Sequence, residues 1–356
     1  FILRGPQSGN KSPRPLRIAC CKQGQLAHTS QLSLKIQETV ICALCFLGHL
    51  RATVLSEMLM KVARINSLSG APLSEQIAEL EAQLSLQETP SAFVIMIHGY
   101  KFDSTQRHHC PHATMFNPSA VEQDYRTLSW PDAFHMAPAG SCAIGFSWPA
   151  RGRLKSVYDL AARAGVELGQ LIKALRSNYP KTPIHLMAHS MGARVVLRAF
   201  HTLGAGNIER AILMFPAEYE VPSEAALNTD AGQTCEILTI ASRENAFYEY
   251  LFSWMNLAGH QMGRAFGGYQ PSRTNHVTVW IDRKEIIDAL HSMDIQVGTR
   301  KRRLCHWSAY TRTGIFNLYA RWLFHPRQLP ITTLQRITAT NTTRSNEFSM
   351  ALHTPA

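Results

Sequence analysis

The chain has 356 residues, 45% of them hydrophobic, which is enough to bury a full core as one large α/β domain or two small ones without disulfide or metal staples. Its formal charge of +11 raises a polyanion partner, but residues 1–65 carry nine Lys/Arg against Glu38 and Glu57, residues 325–356 carry three against Glu347, and 66–324 is left near +2. The basic character lies at the ends, so a nucleic-acid partner, which needs clustered cations, is not expected.

The opening stretch FILRGPQSGNKSPRPLRIACCKQGQ mixes Pro, Gly, Ser and cations without a helical or strand period. Residues 1–65 are therefore expected to form a basic, poorly ordered extension, with patterned sequence starting only after Met58 or Met60, either of which would serve as an initiator. The eight cysteines, at 20, 21, 42, 45, 110, 142, 235 and 305, form no paired zinc signature. Cys42-Ala43-Leu44-Cys45 has CxxC spacing but sits in an apolar run with no second pair, so neither a redox nor a metal role is expected. Scattered thiols read as small buried hydrophobes in a reduced, cytoplasmic protein. The apolar run Val40–Leu50 is too short to span a bilayer and no other stretch is longer, so no stable membrane insertion is expected.

Further along, Leu73, Ile77, Leu80 and Leu84 at helical spacing predict an amphipathic helix over 73–86. From residue 91 the pattern changes to SAFVIMIHGY, a continuous apolar run ending in His-Gly, as expected of a strand buried on both faces. The same pattern recurs at Cys142–Trp148, Pro183–His189, Ile208–Phe215 and Cys235–Ala241. Helical stretches lie between and after these runs, at Leu154–Ser177, Met191–Leu203 and Thr313–Phe324. Parallel strands need crossovers, and the crossovers cover the sheet. The expected fold is accordingly α/β: a mostly parallel central sheet flanked by helices on both faces, spanning 66–337, with a disordered tail over 338–356. Two irregular regions, 101–140 and 252–275, follow predicted strand ends, where ligands bind in open α/β sheets.

The sharpest local signal is Ala188-His189-Ser190-Met191-Gly192, placed after an apolar strand and before a helical pattern. A nucleophile elbow needs that context, because a sharp strand-to-helix turn exposes the Ser and small residues two before and two after avoid clashes. The bland alternative is a helix N-cap, where Ser is also favoured. An exposed Ser needs a base and an oxyanion site. His98-Gly99-Tyr100 ends an earlier strand, so the backbone N–H groups of Tyr100 and Met191 are the expected oxyanion donors, with His98, Gly99, His189 and Gly192 in support.

Chain order selects the base from sixteen histidines, since it runs Ser, acid, His, with the His before the last helix. His306 fits that position, while His260, His276 and His291 read as packing or surface residues. The acid is expected at the end of the second strand after the nucleophile's, where Ser242-Arg243-Glu244-Asn245 offers Glu244; Asp282 is the rival. His108-His109-Cys110-Pro111-His112 is rich in metal-ligand types, but adjacent residues rarely converge on one ion, so no metal is expected; a substrate-facing lid is the functional alternative, and the sequence does not assign the cluster a role.

IHGY (97–100), FSWPARG (146–152) with the following helix that holds Tyr158 and Asp159, AHSMGAR (188–194), SREN (242–245) and CHWSAYTRTGIF (305–316) resemble the α/β-hydrolase superfamily, and more narrowly its bacterial esterase/lipase-like branch. The resemblance spans about residues 90–325 and implies helices sandwiching the sheet, a serine nucleophile and no cofactor. At the acid position many relatives carry Asp where this chain has Glu244. The resulting expectation is a serine hydrolase that cleaves a carboxylic ester or related acyl bond of a small-molecule substrate through Ser190, His306 and Glu244. The competing expectation is a non-catalytic α/β binding module. Oligomeric state has no signature in the sequence.

Overall fold

In a computed structural model, residues 61–118, 126, 128–255, 263–268 and 271–339 are described. Seven strands form one sheet: β1 (Lys61–Asn66), β2 (Phe93–Ile97), β3 (Cys142–Ser147), β4 (Ile184–His189), β5 (Arg210–Met214), β6 (Glu236–Ala241) and β7 (His276–Trp280). They run in the order β1-β3-β2-β4-β5-β6-β7, and every pairing is parallel. The five apolar runs form the five middle strands by sequence, and each of these is almost wholly buried, as an interior parallel strand requires.

Side chains alternate between two cores. Phe93, Ile95 and Ile97 of β2 point into one, and Val94 and Met96 into the other. The first core is closed by helices α1 (Leu73–Ser85), α2 (Leu154–Asn178), α3 (Gly192–Phe200) and α4 (Glu220–Leu227). Phe252 of α5 (Ala246–Met255) also reaches it. The second core is closed by α6 (Lys284–Ser292), α7 (Ile315–Phe324) and the irregular segment holding Met115, Phe116, Trp130 and Phe134.

Two boundaries differ from the sequence reading. The sheet takes in Lys61–Ile65, which that reading gave to the N-terminal extension. As an edge strand paired only with β3, β1 buries just Ile65 fully within Val62–Asn66 and has no continuous apolar run to mark it. At the other end, a helical stretch over 331–339 buries Ile331, Leu334 and Thr338, so ordered chain runs past 337. The described residues all lie in the unit Leu55–Ala356. The first 60 residues, with Cys42–Cys45, and residues 340–356 lie outside the description. Among the described residues no helix is long and apolar enough to cross a membrane.

From β2 to β3 the chain steps one way across the sheet, and from β4 onward it steps the other way. β2 and β4 are neighbours at that switch point, and the crevice beyond their carboxyl ends is where such sheets hold ligands.

Candidate active site

Between the end of β4 at His189 and the start of α3 at Gly192, Ser190 and Met191 alone make the turn. Ser190 takes φ of 54°, a left-handed conformation that costs a non-glycine residue roughly 1–2 kcal/mol. Its backbone is pinned on both sides. The Ser190 N–H donates to Met214 O at 2.9 Å, and Ser190 O accepts from Ala193 and Ala217 N–H, each at 3.0 Å. Glycine is required on the facing strand end: a Cβ on Gly99 would lie 2.9 Å from both His189 O and Ser190 Cβ. Likewise a Cβ on Gly192 would lie 2.7 Å from His98 O and 2.8 Å from Ile97 O. The end of β2 is thereby pressed against the elbow.

His98 is fully buried and serves as a brace. Its Nδ1–H donates to Gly99 O at 2.9 Å, its Nε2 accepts from the Trp148 N–H at 3.1 Å, and the Trp148 indole donates to His98 O at 3.0 Å. The two rings stack at 5.7 Å between centroids. Burial lowers the His98 pKa to about 3, so the ring is neutral, as its donor-and-acceptor role demands. Among the described residues neither the Tyr100 nor the Met191 N–H has an acceptor. Met191 is only 2% exposed, and a buried N–H without a partner is uncommon enough to signal a ligand site.

His306 sits at the same sheet edge. Its carbonyl accepts from His189 Nε2 at 2.8 Å, so the residue preceding Ser190 tethers the loop that carries the imidazole. The His306 ring stacks on Tyr248 at 4.6 Å and lies 4.6 Å from the His189 ring and 6.4 Å from Phe215. Burial, reinforced by the neighbouring His189, holds its pKa well below that of an ordinary histidine. The Ser190 hydroxyl makes no hydrogen bond to this ring in the present conformation.

The partner of the imidazole is not Glu244. His306 Nδ1 lies 2.6 Å from Asn245 Oδ1. Glu244, 1% exposed, forms an ion pair with Arg312 and accepts from Ser308 Oγ at 2.9 Å and Ser242 Oγ at 3.2 Å. Its backbone carbonyl also accepts from Cys305 N–H at 3.0 Å. Glu244 therefore clamps the 305–312 loop rather than touching the ring that loop presents. The cause is local. Arg243–Asn245 is a 3-10 turn capped by Ser242 Oγ, and consecutive side chains on such a turn diverge by about 120°. Asp282, the rival acid, accepts from the Arg243 N–H at 3.2 Å and does not reach His306.

The remaining histidines lie elsewhere. His276 is buried on β7 against Thr239 Oγ1 at 2.9 Å, His291 bonds Val297 O at 2.9 Å, and His260 lies outside the described residues. His108 is exposed and His109 half-buried on a 3-10 turn, whereas His112 is buried and bonds Asn66 Oδ1 at 3.1 Å, so the cluster does not converge. Among the described residues no group of three His, Cys, Asp or Glu is placed to hold a metal ion.

Sequence reasoning missed three participants. Asn245 was in view but carries no charge, the property being sought. Glu249, four residues on along α5, accepts from Asn245 Nδ2 at 3.0 Å, an i,i+4 pair that spacing alone could have flagged. Arg194 is buried behind the elbow, pairing with Glu218 at 2.6 Å and lying 3.4 Å from the Tyr158 ring centroid, while the Tyr158 hydroxyl donates to Glu218. That network ties α2, α3 and the segment after β5 together beneath Ser190.

Residues 74–221 match the model of a family described as "Alpha/beta hydrolase of unknown function (DUF900)". No curated protein matches. Among solved structures, an acetylxylan esterase aligns at 16% identity over 66% of this chain and 96% of that one, with a TM-score of 0.33. A type II thioesterase of the yersiniabactin pathway aligns at 14% identity over 68% and 96%, with a TM-score of 0.30. A Trichoderma reesei cutinase in complex with a phosphonate inhibitor aligns at 17% identity over 47% and 75%, with a TM-score of 0.26. Likenesses this distant say nothing about the chemistry.

Proposed function

For a chain that belongs to the α/β-hydrolase superfamily, we propose acyl transfer to water: a serine hydrolase that cleaves a carboxylic ester or related acyl bond through an acyl-enzyme on Ser190. The observation that carries this reading is the left-handed Ser190 at a strand-to-helix turn, on the same sheet edge as an imidazole whose Nδ1 is already committed to an acceptor. With Nδ1–H donating to Asn245, the lone pair on His306 Nε2 is left to take the Ser190 proton. The two groups must draw together when substrate binds, and such contacts are often loose in the free enzyme. Met191 and Tyr100 N–H then receive the oxyanion. The His306 imidazolium gives that proton to the departing group as its bond to the acyl carbon breaks, and the neutral ring then deprotonates a water whose attack releases the acid, the proton returning to Ser190. Tyr248, Trp307 and Phe215 around the imidazole favour an apolar acyl or leaving group.

One observation favours the competing reading of a non-catalytic binding module: an amide stands where triads usually hold a carboxylate. The same experiment separates the two. A fluorophosphonate probe is expected to label the protein covalently, and Ser190→Ala is expected to abolish both labelling and turnover of short-chain nitrophenyl esters while the thermal midpoint stays unchanged. An intact protein that resists the probe would establish the binding module instead.

A further inference from the structure

An amide is ambiguous where a carboxylate is not. Asn can present either its oxygen or its NH2 to an imidazole, and only the first leaves the base in the useful tautomer. When a serine-protease triad has its Asp replaced by Asn, the geometry survives but kcat falls by about 10⁴, because the wrong tautomer is held. This chain carries the Asn naturally, so something must decide which end faces His306.

We propose that Glu249 is a positioning residue that fixes the Asn245 amide, and through it the His306 tautomer, in the serine-hydrolase reaction proposed above. The inference rests on that reading. Glu249 Oε1 lies 3.0 Å from Asn245 Nδ2, on the opposite end of the amide from the 2.6 Å contact to His306 Nδ1. An ionised carboxylate only accepts hydrogen bonds. The NH2 is thus held toward Glu249 and the oxygen toward His306, which must then carry its proton on Nδ1 and keep Nε2 open.

The carboxylate is itself confined. A Cβ on Gly267 would lie 2.5 Å from Glu249 Oε1 and 3.0 Å from its Cδ, so the 3-10 turn Phe266–Gly268 packs directly against this carboxylate. Being on the same helix as Tyr248, which stacks on His306, Glu249 is set by the element that also shapes the imidazole's surroundings.

Charge gives a second consequence. When His306 takes the Ser190 proton it becomes a cation, and a neutral amide offers it only a dipole. The carboxylate one hydrogen bond further out supplies the negative charge that a conventional triad places next to the ring. The arrangement is a triad whose charge has been moved one residue outward.

The test is a double-mutant cycle on the full chain, read by the labelling rate of a fluorophosphonate probe at Ser190 and by kcat and KM on a nitrophenyl ester. Glu249→Gln is expected to lower labelling rate and kcat by roughly 10- to 100-fold, the cost usual for removing the partner that orients a working histidine, with KM unchanged. In an Asn245→Asp background the same substitution is expected to cost less than about threefold or to raise the rate, since the carboxylate introduced there accepts only and brings its own charge. Equal losses in both backgrounds, or an undiminished rate in Glu249→Gln, would overturn the proposal. Should Glu249→Gln alone fail to fold, the double variant carrying Asn245→Asp and Glu249→Gln, measured against Asn245→Asp, decides: a double variant slower by more than about threefold rejects it. Wild-type protein that is not labelled at all would reject the hydrolase reading first, and this inference with it.

Discussion

Asn245 Oδ1 and His306 Nδ1 approach to 2.6 Å, while the adjacent Glu244 turns its carboxylate away from the ring and into an ion pair with Arg312. One residue of separation along the chain assigns these side chains to different tasks, the first to the imidazole and the second to the loop that carries it.

Substitution separates the two tasks. Glu244→Gln leaves the Arg312 guanidinium buried without its counter-charge, and breaking a buried pair in this way costs about 3–5 kcal/mol. The expected outcome is a lower urea midpoint with the labelling rate of the folded protein within about threefold of wild type. Asn245→Ala is expected to do the reverse, lowering kcat by about 10²-fold or more with a smaller change in stability. A catalytic collapse in Glu244→Gln at full stability would return the role to Glu244.

The pH profile should carry the mark of a buried base. His306 must be neutral to accept a proton, and burial holds its pKa well below the ordinary histidine value of 6.5. The acid limb of kcat/KM in the free enzyme is therefore expected below 6.5, with activity flat through neutrality. Initial rates that halve at 6.5 or higher would contradict the assignment of His306 as the base.

Stability should respond to pH in the same region for a different reason. His98, His185 and His276 are buried, and burial brings each from 6.5 to about 3 in the fold. The unfolded chain binds protons at these sites below 6.5 whereas the native state does not, so stability is lost as pH falls from 6.5 toward 3. One pH unit below the unfolded value the loss is about 1.4 kcal/mol per histidine, or about 4 kcal/mol for the three. Urea midpoints at about pH 7.5 and pH 5.5 read this directly, and superimposable curves would refute it.

At the elbow, the close approach of Gly99 gives a steric prediction. Gly99→Ala sets a methyl 2.9 Å from His189 O and Ser190 Cβ, and is expected to destabilise by about 1–3 kcal/mol and to slow labelling of Ser190. Gly204→Ala, whose Cβ would meet nothing within 4 Å, is the control and is expected to stay within about 0.5 kcal/mol of wild type. Equal behaviour of the two variants would mean that the contact between β2 and the elbow is not tight.

The middle of the sheet and the strand-turn-helix around Ser190 could be read from the chain alone. Strands buried on both faces must be apolar throughout, as FVIMI and AILM are, and a turn this sharp must be flanked by small residues, as Ala188 and Gly192 flank it. What the sequence could not decide was whatever depends on a partner far along the chain. β1 is a strand because β3 pairs with it, not because its own residues are apolar. Glu244 looked like the acid because it bears a charge, but Arg312, 68 residues away, satisfies that charge, and the rotation of a 3-10 turn delivers Asn245 to His306 instead. Periodicity encodes which face a residue occupies, and folding alone settles which buried group waits there to receive it.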